Sequence, residues 1–312
     1  MNRILITGAA GLVGQALLDL AASSPHGIVA GDIREPSRLP RGAVFRRLDV
    51  RGSDPDRIIR ETQPDTVVHL ASIVSPPKGS TRDLEYEVDV TGTRNVLDAC
   101  AAHGVRRLVV TSSGAAYGYH ADNPVPLTED NAVRGNEEFA YSHHKRLVED
   151  MLALARVERP ELEQVVLRVG TVLGPGLDNQ ITALFRRKRL LANAGSESPF
   201  VFIWVDDLAR ILLRAATDGP AGIYNVAGDG ALGVDDLATR LRKPVQRLPA
   251  WLLKAALAVA KPLGISRYGP EQVRFLQYRP VLDNTRLKSI FGYTPEKTSH
   301  EAFEAWRQSV GL

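Results

Sequence analysis

The chain opens on a short apolar run, Ile4-Leu5-Ile6-Thr7, too short for anything but a core strand. Three glycines, Gly8, Gly11 and Gly14, follow at intervals of three, and 15–21 continues with helical periodicity. Further strand-like runs lie at 26–31, 44–48, 66–71, 106–111 and 165–168. The β-branched content of 66–71 suits a parallel strand covered on both faces. Helical patterns fill the gaps at 56–61, 86–103 and 139–157. Ser53-Asp54-Pro55 supplies a start signal for the first of these. In 86–103 the apolar positions include Val88, Val96, Leu97 and Cys100. Strands alternating with helices at this rhythm predict an α/β fold built on a doubly wound parallel sheet.

After about Gly170 the rhythm loosens. The pattern predicts a helix over 179–191 carrying Arg186-Arg187-Lys188-Arg189, a short strand at 200–203, a helix over 206–217 and a strand at 223–226 that returns to the main sheet. Mostly helix is expected beyond, at 234–241, 251–261, 270–275 and after Thr298. The expected organisation is a nucleotide-binding domain over 1–170, with return segments near 200–227. A smaller, mostly helical substrate-binding region over 171–199 and 228–312 would close over the carboxyl ends of the strands.

Composition narrows the class only a little. The 312 residues are 44% apolar and 24% charged, ordinary for a globular protein. A net charge of +3 argues for neither nucleic acid nor membrane as a partner. The single Cys100 permits no internal disulfide, fits a reducing compartment and reads as a small core residue. The N-terminus runs straight into the first strand without a signal-peptide pattern, so a cytoplasmic location is expected. The most apolar helical stretch, 251–261, is too short to span a bilayer. It reads as a helix packed on the core, ahead of a substrate lid or a membrane-surface contact.

The glycine turn has the physics of a phosphate site. Glycines let the backbone turn tightly and approach an anion, and the amides and dipole of a helix N-terminus favour a pyrophosphate. The spacing is G-x-x-G-x-x-G rather than the commoner G-x-G-x-x-G. Asp32 closes the second strand, about twenty residues on, where a carboxylate accepts hydrogen bonds from an adenosine ribose. It would repel a 2′-phosphate and so favours NAD over NADP, with Arg34 as the counter-argument. A second constellation is Tyr141-Ser142-His143-His144-Lys145. Positions i and i+4 share a helix face, and a cation beside a phenol stabilises its phenolate. Tyr141 thus becomes usable as a general acid/base. Thr111-Ser112-Ser113, at a strand end, offers hydroxyls to a substrate oxygen.

These motifs together resemble the extended short-chain dehydrogenases/reductases, which include nucleotide-sugar epimerases and dehydratases. The resemblance covers nearly the whole chain. It rests on Thr7-Gly8-x-x-Gly11-x-x-Gly14, Asp32, Asp49-Val50, His69-Leu70-Ala71-Ser72, Gly92-Thr93, Thr111-Ser112-Ser113 with Tyr117-Gly118, and Tyr141-x-x-x-Lys145. It continues through Leu167-Arg168, Gly174-Pro175-Gly176, Val205-Asp206-Asp207 and Tyr224-Asn225-Val226. It implies a Rossmann domain binding NAD. Gly8, Gly11 and Gly14 would cradle the pyrophosphate, with Ala10, Leu12 and Val13 in the same turn. Asp32 and Arg34 would lie at the adenosine ribose, and Asp49 and Val50 at the adenine. Leu70, Ala71, Ser72, Thr111 and Val169 would flank the nicotinamide side. Tyr141 would be the acid/base, Lys145 would bind the nicotinamide ribose and tune Tyr141, and Ser113 would orient the substrate. A homodimer through 86–103 and 139–157 is the family habit.

Several positions depart from the family pattern. Gly114 and Ala115 stand where dehydratases carry an acidic pair, so elimination of water is not expected. Thr171 replaces an epimerase asparagine, Phe200 an arginine on the nucleotide, and Asp89 an asparagine. Phe200, Phe202 and Trp204 would make the substrate wall apolar if they face the cleft, and core if they do not. Arg279 matches a family substrate-binding arginine and keeps an anionic substrate open. The 186–189 run reads as a solvated face. His143 and His144 are expected to point away from the Tyr141/Lys145 face, and no metal site is expected. The expected protein is an NAD-dependent oxidoreductase or epimerase acting on a secondary alcohol or ketone carbon of a small molecule. The alternatives are a UDP-sugar 4-epimerase and a non-catalytic NAD(P)-sensing protein.

Overall fold

The computed structural model describes residues 2–76, 79–263 and 269–312. Its strands, in chain order, are β1 (Arg3–Thr7), β2 (Gly27–Asp32), β3 (Val44–Arg47), β4 (Thr66–His69), β5 (Arg107–Ser113), β6 (Glu163–Val169), β7 (Thr171–Leu173), β8 (Leu190–Asn193), β9 (Phe202–Trp204), β10 (Gly222–Val226) and β11 (Val245–Leu248). Seven form one sheet in the order β10-β6-β5-β4-β1-β2-β3, parallel throughout. The chain winds outward from β1 to β3, then crosses back to β4 on the other side of β1. That reversal opens a crevice at the carboxyl ends of β1 and β4.

Alternate residues of each central strand feed two cores. Ile4, Ile6, Val68 and Val109 pack with Leu17, Leu18, Leu208, Ile211 and Leu212, under the helices Leu12–Ala21 and Val205–Ala216. Leu5, Val67, Leu108 and Val110 pack on the other face with Val96, Leu97, Cys100, Val148 and Leu152. The helices there are Asp54–Thr62, Gly92–Ala102 and Ala140–Glu158. Cys100 is fully buried, as expected, and burial pushes its thiol up. The helix over 86–103 begins earlier, at Arg82, and passes through a π turn at Glu87–Thr91 before Gly92.

The C-terminal part departs most from expectation. The helix expected over 179–191 stops at Arg186, and Arg187 is extended (ψ 153°). Leu190–Asn193 is instead β8, paired with β11, and the Leu190 amide donates to the Pro244 carbonyl. Phe200, Phe202 and Trp204 are all buried, within an aromatic core that includes Phe185, Phe303 and Trp306. Phe202 and Trp204 are core residues, not a cleft wall. The 251–261 helix is also corrected. It forms, as Ala250–Ala260, but only Leu253 in it is buried, so it lies on the surface.

Two polar networks fix the strands around the crevice. His69, fully enclosed, lies 2.7 Å from the Thr7 hydroxyl through Nδ1 and 3.0 Å from the Thr93 hydroxyl through Nε2. Thr93 spends its own proton on the Asp89 carbonyl at 2.6 Å. It therefore accepts from Nε2–H, and Thr7 donates to Nδ1. The ring is neutral in a single tautomer, and burial pushes its pKa down to about 3. Deeper under β5 and β6, Arg168 forks onto Glu149 through Nε and Nη2. Arg168 also donates to the Tyr117 hydroxyl and the Glu129 carbonyl. Ser112 donates to Glu149, and Tyr117 to Asn225. Burial opposes the guanidinium charge, but Glu149 outweighs it and holds Arg168 protonated.

Two consequences are measurable. Arg168→Met strands a buried Glu149 carboxylate, and loss of about 3–5 kcal/mol in urea unfolding is expected; wild-type stability would contradict the network. For His69, the unfolded imidazole takes up a proton below its ordinary pKa near 6.5 while the folded one stays neutral down to about 3. Stability from this group therefore falls with pH through that window, by up to about 1.4 kcal/mol per unit. His69→Gln is expected to show a shallower decline between pH 6.5 and 4; an equal slope in both proteins would contradict it.

Candidate active site

The crevice begins with the turn after β1. Gly8 has φ +70°, and a Cβ there would lie 2.7 Å from the Ala71 nitrogen. A Cβ at Gly14 would lie 2.3 Å from the Gly8 carbonyl oxygen. The turn is thus pressed against the end of β4 on one side and against its own helix on the other. The helix Leu12–Ala21 begins without a side-chain cap at Gly11 and without an acidic residue in its first turn. Its leading amides face an open end, which suits an anion. Ala10 and Leu12 border this end, with Leu12 exposed, while Val13 packs inward on the core. These features fit a dinucleotide's pyrophosphate: close backbone, free amides and positive dipole.

Asp32 ends β2 beside the turn. It accepts from the Ala10 amide at 3.0 Å and from the Arg34 amide at 3.1 Å, which leaves lone pairs for a ribose. The Arg34 side chain is exposed. Asp49 is engaged by Arg51, which forks onto both oxygens and holds the carboxyl below its usual range. Val50 is buried against Gly92, where a Cβ would lie 2.6 Å from its methyl. An open groove of about 610 Å³ adjoins the turn at Ala10, Gly11 and Leu12 and runs along the first helix to Asp19 and Arg210. Ser113, Tyr141 and Lys145 do not line it.

At the ends of β4, β5 and β6 the remaining expected residues converge. Leu70 packs on one core and Ala71 on the other. Ser72 donates to Asp89 at 2.8 Å, and the Ile73 amide to the same oxygen at 3.0 Å. Asp89 sits in the π turn, 2% exposed, with its second oxygen 3.5 Å from Nδ1 of His144. Burial opposes its ionisation, but His144, Lys145, Ser72 and Ile73 hold its carboxyl below the usual range. His144 is therefore core-facing, and among the described residues no His/Cys/Asp/Glu cluster suits a metal.

Lys145 and Tyr141 share a face of Ala140–Glu158, with the Lys145 nitrogen 5.6 Å from the Tyr141 ring centre. Nζ donates to the Thr111 carbonyl at 3.0 Å, which ties the helix to β5. Ser113 ends β5, and its Oγ accepts from the Ala115 amide at 3.1 Å. Its hydroxyl proton remains to be given. Val169 ends β6, and Thr171 opens β7 half-buried, its amide on the Val201 carbonyl. Thus Tyr141 and Lys145 are tied to β5, the strand that Ser113 closes, and the glycine turn lies two strands away across β4.

Arg279 is enclosed farther out. Its guanidinium lies 3.8 Å from the Phe200 ring centre and 4.7 Å from that of Phe275. It donates to the Ser198 carbonyl and hydroxyl, and Nε has no partner among the described residues. Among the described residues no carboxylate pairs with it, and burial pushes its pKa down to about 9. Tyr119, packed on Phe139 and Phe275, feels both Tyr141 and Arg279 electrostatically. This aromatic shelf was not legible in the sequence. Phe139 precedes the Tyr141 helix without a motif, and Phe275 reaches the shelf only through the C-terminal packing.

The fold is shared with known proteins. An uncharacterized protein of Mycobacterium tuberculosis is 29% identical over 320 residues, 99% of this chain and 84% of the relative. A UDP-glucose 4-epimerase of Mycolicibacterium smegmatis is 28% identical, covering 94% of each. Among solved structures, UDP-glucose 4-epimerase of Thermotoga maritima, with UDP-glucose, superposes at a TM-score of 0.78, with 22% identity and 98% of each chain covered. The Thermus thermophilus UDP-glucose 4-epimerase, in complex with NAD, gives 0.75 at 24% identity, with 99% of each chain covered. The same fold, and a family model matching residues 4–227, make this chain a member of the NAD dependent epimerase/dehydratase family.

Proposed function

We propose that this protein is an NAD-dependent enzyme that moves hydride between the cofactor and the carbon of a secondary alcohol or ketone. The observation that carries the reading is the Tyr141/Lys145 pair on one helix face, tied by Lys145 to β5, the strand that Ser113 closes, two strands from the glycine turn. NAD, when bound, accepts a hydride and can return it. Gly8, Gly11 and Gly14 would hold its pyrophosphate, Asp32 its adenosine ribose and Lys145 its nicotinamide ribose. The Ser113 hydroxyl would donate to the substrate oxygen, and Tyr141 would exchange that oxygen's proton as general acid/base. Lys145, fixed by Thr111, supplies positive charge at the Tyr141 ring. Gly114 and Ala115 bring no acidic pair, so dehydration is not part of the reading.

A second reading is a UDP-sugar 4-epimerase, in which a retained ketone is reduced from its opposite face. The buried, carboxylate-free Arg279 supports it, because a diphosphate would satisfy that guanidinium. The UDP-glucose 4-epimerase relatives support it too. Thr171 and Phe200 weigh against it, since neither supplies the polar group expected there. A cofactor-sensing protein without catalysis is the rival from another class, and the intact Tyr141/Lys145 pair argues against it.

The test is Tyr141→Phe. Turnover is expected to fall by at least about 100-fold, the usual contribution of a general acid/base, with NAD binding nearly unchanged. Assays with NAD and UDP-glucose or UDP-galactose, and with simple secondary alcohols, separate the readings. Full activity in the variant would overturn the mechanism, and absence of hydride exchange with every alcohol would favour the sensor.

A further inference from the structure

The surface helix Ala250–Ala260 is built of residues that ordinarily seek a core. Its sequence, AWLLKAALAVA, has two large aliphatic neighbours to a tryptophan and no acidic residue. Trp251 is 69% exposed, Val259 62% and the following Leu263 65%. Helical spacing explains the division. Trp251, Leu252, Ala255, Ala256 and Val259 fall at i, i+1, i+4, i+5 and i+8, on one exposed face. Leu253, with Leu257 and Ala260 half-covered, turns toward the protein. Lys254, and Lys261 two turns on at the helix end, are exposed at the border between these faces.

The sequence that flanks the helix is as uneven in charge as the helix is in polarity. From 237 to 270 the sequence holds seven Arg and Lys residues and no Asp or Glu, in a chain whose whole net charge is only +3. Arg247 meets Asp235 at 2.5 Å and Lys261 meets Glu271 at 3.3 Å. Both pairs are solvent-exposed on the Arg and Lys side, and such pairs exchange readily with other anions. An apolar face with an interfacial tryptophan, rimmed by lysines, complements an anionic lipid surface. At eleven residues the helix is about 16 Å long, far below a bilayer's thickness. Among the described residues no helix can cross a membrane, so the helix would lie in the plane of the interface.

We propose that Ala250–Ala260 is a peripheral docking helix for anionic membrane surfaces. Trp251, Leu252 and Val259 enter the headgroup boundary, and Lys254 and Lys261 engage lipid phosphates. This is independent of the reaction catalysed. The helix packs against Gln272–Gln277, which carries Phe275 beneath Arg279, so docking would occur on the side of the molecule that holds the Arg279 shelf.

The experiment is vesicle pelleting of the full chain. Vesicles of pure phosphatidylcholine are compared with vesicles containing about 30 mol% phosphatidylglycerol, at low salt and at about 0.5 M NaCl. The protein is expected to pellet with the anionic vesicles and to be released by salt, with the Trp251 emission moving to the blue on binding. Trp251→Ser with Val259→Ser, and separately Lys254→Glu with Lys261→Glu, are each expected to lower partitioning by more than about tenfold. All four positions are exposed, so the melting temperature should hold and distinguishes lost docking from lost folding. No pelleting of the wild type at low salt, or pelleting of both double variants at the wild-type level, would overturn the proposal. So would a dimer by light scattering that the apolar double variant dissolves, since a second copy would then be the occupant.

Discussion

The structure depends on how closely the backbone after β1 approaches its neighbours. At Gly8 and Gly14 even one added carbon would collide with backbone, at 2.7 and 2.3 Å. This closeness seats the first helix over the end of β1, with its uncapped N-terminus open. It also brings the end of β4 against the turn, so that Leu70, Ala71 and Ser72 follow the crevice. His69, held neutral between Thr7 and Thr93, ties that strand end to β1 and to the helix behind it. From there the order of parallel strands does the rest, because Ser113 ends β5 and Val169 ends β6.

A second constraint fixes the helix that carries Tyr141. Lys145 bonds the Thr111 carbonyl, so the helix carrying Tyr141 is fixed relative to the strand carrying Ser113. Behind this link, Glu149 on the same helix grips Arg168 of β6 and Ser112 of β5. Buried charge and hydrogen bonding thus lock one helix to two strands. Asp89, in a π turn, ties that turn to Ser72 and Ile73 after β4 and lies against His144 of the same helix.

The central strands of the main sheet were legible because they are buried on both faces and therefore read as apolar runs, whereas the edge strand β3 is mostly exposed. The Tyr141/Lys145 pair was legible because its partners are one helical turn apart, and Asp32 because it closes a strand. The C-terminal part was not. Leu190–Asn193 follows a basic run that continues the helical pattern, and it becomes a strand only because Val245–Leu248 lies beside it. Phe200 and Arg279 are far apart in sequence, and nothing local says that an arginine will stack on that ring. Ala250–Ala260 misled for a different reason: its composition is that of a buried helix, and the fold leaves it outside.

The most direct measurement is a calorimetric titration of the purified protein with NAD and NADP, with the absorbance of the starting material checked for retained dinucleotide. The glycine turn, the open helix end and Asp32 together predict one NAD site per chain, with NADP binding more weakly. Protein free of dinucleotide that releases no heat with NAD, and whose melting temperature NAD leaves unmoved, would contradict the account at its foundation.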